Sequence, residues 1–271
     1  IKELWEVKEE NHQEGLVEHS MGWPLSEGTY GGSFLYHFGQ NLVSIGYVVH
    51  LNYTNPYVSP FDEFQQFKTH PSIKKILEGG KRISYGARAI TAGGFQSVPK
   101  LFFPGGALIG CSAGFLNYPK IKGTHNAMES GILAAESIIE NFLSENQNND
   151  LFNYQEKYES SRIAKELKKV RNVKPFQSRY GVFLGTILSG IDMWLNTFGI
   201  TLPFTLSHIK PDYKTLKKAS ECDEIIYPKP DGIFSFDKLS SVFLSNTNHE
   251  EDQPAHPVSY THLRAHETAY Y

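Results

Sequence analysis

Apolar residues in the first part of the chain follow a pattern that is typical of β-strands. Residues 33–38 and 42–51 are rich in aromatic and β-branched side chains, and residues 39–41 between them have turn chemistry. These segments predict a β-hairpin whose second strand is well buried. From Phe61 the apolar positions recur every three residues, which predicts a helical region that ends at Gly79-Gly80.

The most organised segment lies in the middle of the chain. Residues 107–110 form a short apolar run that predicts a strand, and a loop of small residues follows at 111–114. After Gly123 the pattern predicts a helix with Thr124 as its N-cap and with a broad apolar face. A second helix, densely charged and mostly facing solvent, is expected from residue 154 to about residue 173.

Residues 180–206 carry a single charge, at Asp192. Their length would permit a membrane-spanning helix, but four glycines and Pro203 weaken a continuous helix, and Asp192 would be costly in mid-bilayer. The sequence favours a segment that lies in one membrane interface; a buried core element stays open as the alternative, and a spanning helix is least favoured. The side chains predicted to face the membrane are Phe183, Leu184, Ile187, Leu188, Trp194, Leu195 and Phe198.

Basic residues flank this segment on both sides, as expected if they contact lipid headgroups in a single interface. They are Lys168, Lys169, Arg171, Lys174 and Arg179 before it, and Lys210, Lys214, Lys217 and Lys218 after it.

Composition narrows the class of protein. The 271 residues include 26 Lys and Arg against 29 Asp and Glu, a formal net charge of -3, so no basic excess points to nucleic acid. A hydrophobic fraction of 40% is enough to form a core, and a mean hydropathy of -0.37 excludes a polytopic membrane protein. Cys111 and Cys222 cannot by themselves form a disulfide framework or a metal knuckle.

Two glycine-containing segments are candidates for ligand binding. Gly110, Cys111, Gly114, Gly123 and Thr124 lie between the predicted strand and helix, where a helix N-terminus offers unpaired N–H groups and glycines let a flat or anionic group approach. This spacing is not the dinucleotide fingerprint, so an ordinary turn stays the alternative.

The second candidate segment is the glycine pair Gly31-Gly32, which opens the first hairpin strand and would expose its backbone to a ligand. From the residues alone a β-bulge is favoured there. A metal site at His256, His262 and His266 is not favoured.

Ordered motifs over residues 1–256 resemble those of the electron transfer flavoprotein–ubiquinone oxidoreductase family. They include Thr29-Tyr-Gly-Gly-Ser-Phe-Leu-Tyr-His37, Glu78-Gly-Gly80, Tyr85-Gly-Ala-Arg88, Gly93-Gly-Phe-Gln-Ser97, Pro119-Lys-Ile-Lys-Gly-Thr-His125 and Tyr227-Pro-Lys-Pro-Asp-Gly232.

The resemblance implies a monotopic flavoprotein on the matrix face of the mitochondrial inner membrane, with FAD and one 4Fe-4S cluster. It implies electron transfer from reduced electron transfer flavoprotein to ubiquinone in the respiratory chain, which serves fatty-acid β-oxidation. Gly31 and Gly32 match the glycine pair whose backbone binds the quinone headgroup, and residues 110–125 match the second FAD-contacting motif. No catalytic side chain is implied, because electrons pass directly between cofactors.

The fold that the resemblance implies is of the α+β or α/β class. It is part of a glutathione-reductase-like FAD domain with an inserted β-sheet domain that binds quinone. The predicted division is a ubiquinone-binding domain at 1–104, part of the FAD domain at 105–150, a helical segment with a membrane-facing patch at 151–206, a linker to the 4Fe-4S domain at 207–256, and a tail at 257–271.

Two parts of the family pattern are missing: the N-terminal FAD fingerprint and the four cluster cysteines. The chain is therefore expected to be a middle fragment that is inactive by itself, and residues 257–271, which resemble a translated adaptor, are expected to be non-native. The alternatives are a geranylgeranyl-reductase-like FAD enzyme and a non-catalytic fragment that binds a lipid surface.

Overall fold

The computed structural model describes residues 1–26, 28–144 and 151–248, together with residues 250 and 252. The chain divides into two compact units, one of residues 1–88 and 210–271 and the other of residues 89–209. The predicted tail and the histidines at 256, 262 and 266 lie outside the described residues. The domain boundaries predicted from the sequence stay a prediction.

The first unit contains a five-stranded antiparallel sheet with the strand order β2-β3-β4-β1-β5. The predicted hairpin is confirmed as β3 and β4, which pair from Phe38 and Leu42 outwards. Gly39 and Asn41 close it with positive φ angles, a conformation that glycine and asparagine tolerate. The strands are β1 (Lys2–Glu6), β2 (Val17–Met21), β3 (Gly31–Phe38), β4 (Leu42–Val49) and β5 (Lys81–Gly86).

Two helices, α1 (Pro60–Phe67) and α2 (Pro71–Leu77), pack on one face of this sheet. Each begins with proline at its first position, where a missing N–H costs nothing. The alternation along β4 turns every second side chain toward these helices and forms the core of the unit. Its buried members include Trp5, Leu35, Val43, Ile45, Tyr47, Phe64 and Leu77.

The second unit is mostly helical. A two-stranded ladder of β6 (Phe102–Phe103) and β7 (Gly106–Ala107) precedes the helices α3 (Thr124–Leu143), α4 (Phe152–Ser160), α5 (Arg162–Lys169) and α6 (Val173–Thr197). The chain is thus a mixed α and β protein with a small antiparallel sheet, compatible with the α+β class.

The prediction of one solvent-facing helix over residues 154–173 is wrong in two respects. Ser161 interrupts it and caps α5, because its hydroxyl accepts a hydrogen bond from the backbone N–H of Ala164. The charges also alternate with an apolar stripe that faces the core of the second unit. That stripe consists of Tyr154, Tyr158, Ile163, Ala164 and Leu167.

The helix after Gly123 is confirmed as α3, but Gly123 is its N-cap and Thr124 is its first residue. The broad apolar face is exposed, and the opposite face, made of small and polar residues, is buried. Periodicity reveals the two faces of a helix, but long-range packing decides which of them is covered. The buried positions are Asn126, Ser130, Ala134 and Ser137.

Among the residues that the structure describes, none of the helices combines the length and the apolar character that a membrane crossing requires.

Candidate functional site

The Gly31-Gly32 pair lies at the start of β3, between β2 and β4. The register runs through both glycines without the shift that a bulge would cause, so the β-bulge interpretation is wrong. Neither position has room for a side chain: a Cβ atom would lie 2.1 Å from the carbonyl oxygen of Val48 at Gly31 and 2.2 Å from that of Ser20 at Gly32. Glycine is therefore required by the close approach of the neighbouring strands.

The two glycines differ in what their backbone groups meet. Gly32 is paired on both sides, with Met21 and with Val48. Among the described strands, Gly31 is paired only with Val49, because β2 ends opposite Gly32. The backbone of Gly31 is thus the first in β3 that has no strand on its β2 side, and such a group can bind a ligand carbonyl or hydroxyl.

The loop beside this glycine pair is held in place by a buried tyrosine. The Tyr47 hydroxyl donates to the carbonyl oxygens of Gly22 at 2.8 Å and Trp23 at 3.1 Å. Leu25, in the same loop, packs toward Gly31. The loop that contains Gly22, Trp23 and Leu25 therefore lies against one side of the Gly31 backbone and is held there by Tyr47.

The predicted cofactor segment begins with a tight turn at residues 110–113. Gly110 and Gly114 both have positive φ angles, which favours glycine there. Two buried polar side chains of α3 fix the ends of this turn: the Ser130 hydroxyl accepts the backbone N–H of Gly110 at 2.9 Å, and the Asn126 amide donates to the Phe115 carbonyl at 2.9 Å. The Cys111 thiol is free and half-buried.

Sequence reasoning missed Asn126 and Ser130. Their signal is spacing: they are four residues apart, on the face of α3 that carries small and polar residues. A polar side chain at a buried helical position usually bonds a nearby backbone group, and here that group belongs to the turn.

The start of α3 is chemically open. Its N-cap, Gly123, has no side chain to bond the first backbone N–H groups of the helix. The side-chain oxygen of Asn126 in the first turn is buried without a hydrogen-bond partner. The first N–H groups of α3 and the helix dipole suit an electron-rich planar ligand such as the pyrimidine end of a flavin, whereas the Asn126 oxygen can only accept a hydrogen bond.

The predicted membrane-facing segment is a helical hairpin. Gly181 has a φ of 76° inside α6, and the helix turns back on itself there. The returning segment packs tightly, because a Cβ atom at Gly185 would lie 2.5 Å from the Cα atom of Gln177. The Ser189 hydroxyl donates to the carbonyl oxygen of Val173 at 3.1 Å and closes the hairpin.

The returning segment has its small and polar residues inside and its large apolar residues outside. Gly185, Ser189 and Asp192 are buried. Phe183 is 82% exposed and Trp194 is 69% exposed. Of the seven side chains predicted to face the membrane, Phe183, Leu184, Ile187, Trp194 and Phe198 are exposed, whereas Leu188 and Leu195 are half-buried.

Asp192 lies on the inner side of the hairpin. Burial raises the pKa of its carboxyl group, which Arg171 and a hydrogen bond from the Asn196 amide oppose. The predicted role of Arg171 at lipid headgroups is wrong, since its guanidinium is buried and donates to Thr205 and to the carbonyl oxygens of Lys168, Leu202 and Phe204. Lys168, Lys169 and Arg179 of the same flank are exposed.

The residues present do not fit a 4Fe-4S cluster. Such a cluster takes four cysteine thiolates, and the chain contains two cysteines, Cys111 and Cys222, both free. Among the described residues, no group of three or more His, Cys, Asp or Glu side chains could hold a metal ion.

Two family models match the chain. Residues 1–90 match a model described as ETF-QO, ubiquinone-binding, and residues 232–269 match one described as electron transfer flavoprotein-ubiquinone oxidoreductase, 4Fe-4S. The second match begins inside the predicted linker and contains no cysteine.

Curated relatives extend the likeness over 94% of the chain. The chain is 56% identical to the mitochondrial electron transfer flavoprotein-ubiquinone oxidoreductase of Homo sapiens and covers 42% of that protein. It is 53% identical to the electron transfer flavoprotein-ubiquinone oxidoreductase of Pseudomonas aeruginosa and covers 46% of it. The chain thus spans less than half the length of these relatives, and it belongs to the electron transfer flavoprotein–ubiquinone oxidoreductase family.

Proposed function

We propose that the complete protein passes electrons from reduced electron transfer flavoprotein to ubiquinone, and that the first unit of this chain binds the quinone headgroup. The observation that carries the proposal is the backbone of Gly31, which lies within the match to the ubiquinone-binding model and, among the strands that the structure describes, has no partner on its β2 side. Gly32 keeps side chains away from this backbone, and the loop that Tyr47 holds forms a wall beside it.

Residues 110–114 and 123–124 would hold the flavin end of FAD. When bound, FAD supplies the chemistry of accepting and passing on electrons singly or in pairs. The chain's own contribution is the open start of α3, whose N–H groups and dipole favour negative charge. Ser130 and Asn126 keep Gly110 and its turn in register with that helix start. These residues are consistent with a partial glutathione-reductase-like FAD domain.

The 4Fe-4S cluster of the complete protein would have to be ligated by residues other than those of this chain, because only two cysteines are present.

The outer face of the α6 hairpin would lie in the membrane interface, on the matrix side of the mitochondrial inner membrane. A helix in water buries its large apolar side chains and exposes its polar ones. The returning segment of this hairpin does the reverse, as a helix at a membrane interface would. Such a surface would let the isoprenoid tail of ubiquinone enter from lipid. The match to a ubiquinone-binding model does not favour the geranylgeranyl-reductase alternative.

The test is an NMR titration of the ¹⁵N-labelled chain with a short-chain, water-soluble ubiquinone. Glycine amides are resolved from most others, so Gly31 and Gly32 can be followed directly. We expect their resonances to shift in a saturable manner, and an alkanol with the same tail but no quinone ring to leave them in place. Saturable shifts confined to other residues, or equal shifts with the alkanol, would overturn the quinone site at Gly31.

A further inference from the structure

Three charged side chains are buried together inside the first unit. Glu3 lies on β1, Lys68 follows α1, and Arg82 lies on β5; their exposed fractions are 1%, 0% and 8%. The Lys68 ammonium contacts both Glu3 oxygens at 2.8 and 2.9 Å, and Nη1 of Arg82 donates to the Glu3 carboxylate at 3.1 Å. The Trp5 indole N–H donates to the same carboxylate at 2.8 Å.

Buried charges stabilise a core less effectively than apolar side chains do. Two cations share one carboxylate, and desolvation of buried ions usually offsets the gain from pairing them. Burial lowers the pKa of Lys68 to about 8, although Glu3 opposes the shift. A packed apolar cluster would stabilise the sheet as well, so stability alone does not explain the two cations.

Both cations also contact residues 236–241, more than 150 positions further along the chain; Lys68 lies over the nearby rings of Phe64 and Trp5 as well. Arg82 donates to the Ser241 hydroxyl at 2.7 Å, and its guanidinium lies 3.8 Å from the ring centre of Phe236. The Lys68 ammonium lies 5.0 Å from the same ring. A buried guanidinium stacked on an aromatic face is a strong, directional contact.

The segment that receives these contacts has its own rigid turns. The Asp231 carboxylate accepts the backbone N–H groups of Ile233, Phe234 and Ser235. Asp237 caps the short helix α7 (Lys238–Phe243) by accepting the N–H of Ser240. Residues 231–243 therefore form a segment with its own local hydrogen bonds, and this segment contacts the sheet through Phe236 and Ser241.

Within this unit the contact joins two family regions. β1 and β5 lie in the match to the ubiquinone-binding model, and Phe236 and Ser241 lie in the match to the 4Fe-4S model. We propose that Arg82 is a positioning residue: oriented by Glu3, it fixes residues 231–243 on the quinone-binding sheet and so sets where the 4Fe-4S region begins relative to the quinone site. The inference rests on the proposed function, in which the spacing of redox groups governs electron transfer.

The test measures position directly. Nitroxide labels at Glu18→Cys on β2 and Leu239→Cys on α7, both exposed, report the separation by pulsed electron paramagnetic resonance, with Cys111→Ser and Cys222→Ser as background. We expect one narrow distance distribution in this background. Arg82→Met should broaden or split it, and Arg82→Lys should restore it only in part because the planar stacking is lost.

A second variant works from the segment side and leaves the charged cluster intact. Phe236→Leu with Ser241→Ala should broaden the distribution in the same way, while amide exchange in β3 and β4 stays slow. Unchanged distributions in both variants would overturn the positioning role, and so would equal loss of protection throughout the sheet. No quinone or cluster takes part, so a failed ubiquinone titration would leave this result unaffected.

Discussion

At the scale of single residues, small polar side chains on the buried face of α3 determine the shape of the candidate flavin turn. Ser130 and Ser137 are both fully buried on this helix. The Ser130 hydroxyl bonds the backbone of the turn at Gly110, whereas the Ser137 hydroxyl donates to Leu133 within its own helix. The two serines therefore separate the effect of a lost hydroxyl from the effect of a lost contact to the turn.

Ser130→Ala should lower the free energy of unfolding by about 1–3 kcal/mol, because it leaves the buried N–H of Gly110 without an acceptor. Amide exchange at Gly110 should accelerate in this variant. Ser137→Ala, the control, should cost less than about 1 kcal/mol, since the Leu133 carbonyl lies within the helix. Equal losses in both variants, measured by denaturant unfolding, would show that Ser130 does not hold the turn.

At the scale of elements, two glycines in the returning segment of the α6 hairpin differ in whether close packing requires them. Gly185 faces Phe176 and Gln177 of the first segment, whereas no atom of the described residues lies within 4 Å of a Cβ atom built at Gly190. A helix interior normally disfavours glycine. Close packing therefore explains Gly185, and nothing in the structure explains Gly190.

Gly185→Ala should destabilise the chain by about 1–3 kcal/mol, because the new methyl group would overlap the backbone of the facing segment. Gly190→Ala should stabilise it by about 0.5–1 kcal/mol through helix propensity alone. Thermal unfolding of the two variants measures both signs. A stabilising Gly185→Ala would mean that the hairpin is not closed as described.

The Asp231 turn has a predictable response to acid. Partial burial would raise the pKa of Asp231, but the N–H groups of Ser235, Ile233 and Phe234 outweigh it and lower the pKa from 3.8 to about 2. Since the folded-state pKa is depressed, the contribution of this turn is fully present above pH 3.8 and is lost as the pH falls through about 2.

NMR titration of the Ile233 and Phe234 amides should accordingly give a midpoint near pH 2. Asp231→Asn should remove that titration, because the amide oxygen still accepts hydrogen bonds but carries no charge. A midpoint near the ordinary aspartate value would contradict the charge-assisted turn.

How far the sequence predicts these elements depends on how local their causes are. The β3–β4 hairpin is predictable because residue type and turn chemistry lie within one short segment. The break at Ser161 depends on one capping hydroxyl, and the inward face of α3 depends on partners far along the chain. The candidate site follows the same rule: Gly31 is predicted from its motif, and its role stays a prediction. Arg82 and Ser241, 159 positions apart, have no sequence pattern that pairs them.

At the scale of the whole molecule, the outer face of the α6 hairpin is a large apolar surface on a chain whose net charge is -3. A contiguous exposed apolar surface is typical of a docking or membrane site. Exposed basic residues just before the hairpin, Lys168 and Lys169, and Arg179 in its first segment suit anionic headgroups. The free energy of lipid binding should therefore come mainly from burial of apolar side chains, with a smaller electrostatic contribution that weakens with salt.

The chain should co-sediment with phosphatidylcholine vesicles, and more strongly when they contain an anionic phospholipid. Withdrawing one large apolar side chain from water is worth roughly 1.5–3 kcal/mol, so replacing three outward residues should reduce binding at least about 100-fold. The test variant is Phe183→Ser with Ile187→Ser and Trp194→Ser.

The matched control is Ile226→Ser with Leu239→Ser and Phe243→Ser, three apolar residues of the first unit that are at least as exposed as the three hairpin residues. It should keep the binding, because the interface is attributed to the α6 hairpin and not to exposed apolar area in general. High salt should weaken binding to anionic vesicles in the parent chain and in the control alike. If both triple variants lost the same amount of binding, the lipid contact would be due to exposed apolar area in general. A contact made by the hairpin face would be lost only in the hairpin variant.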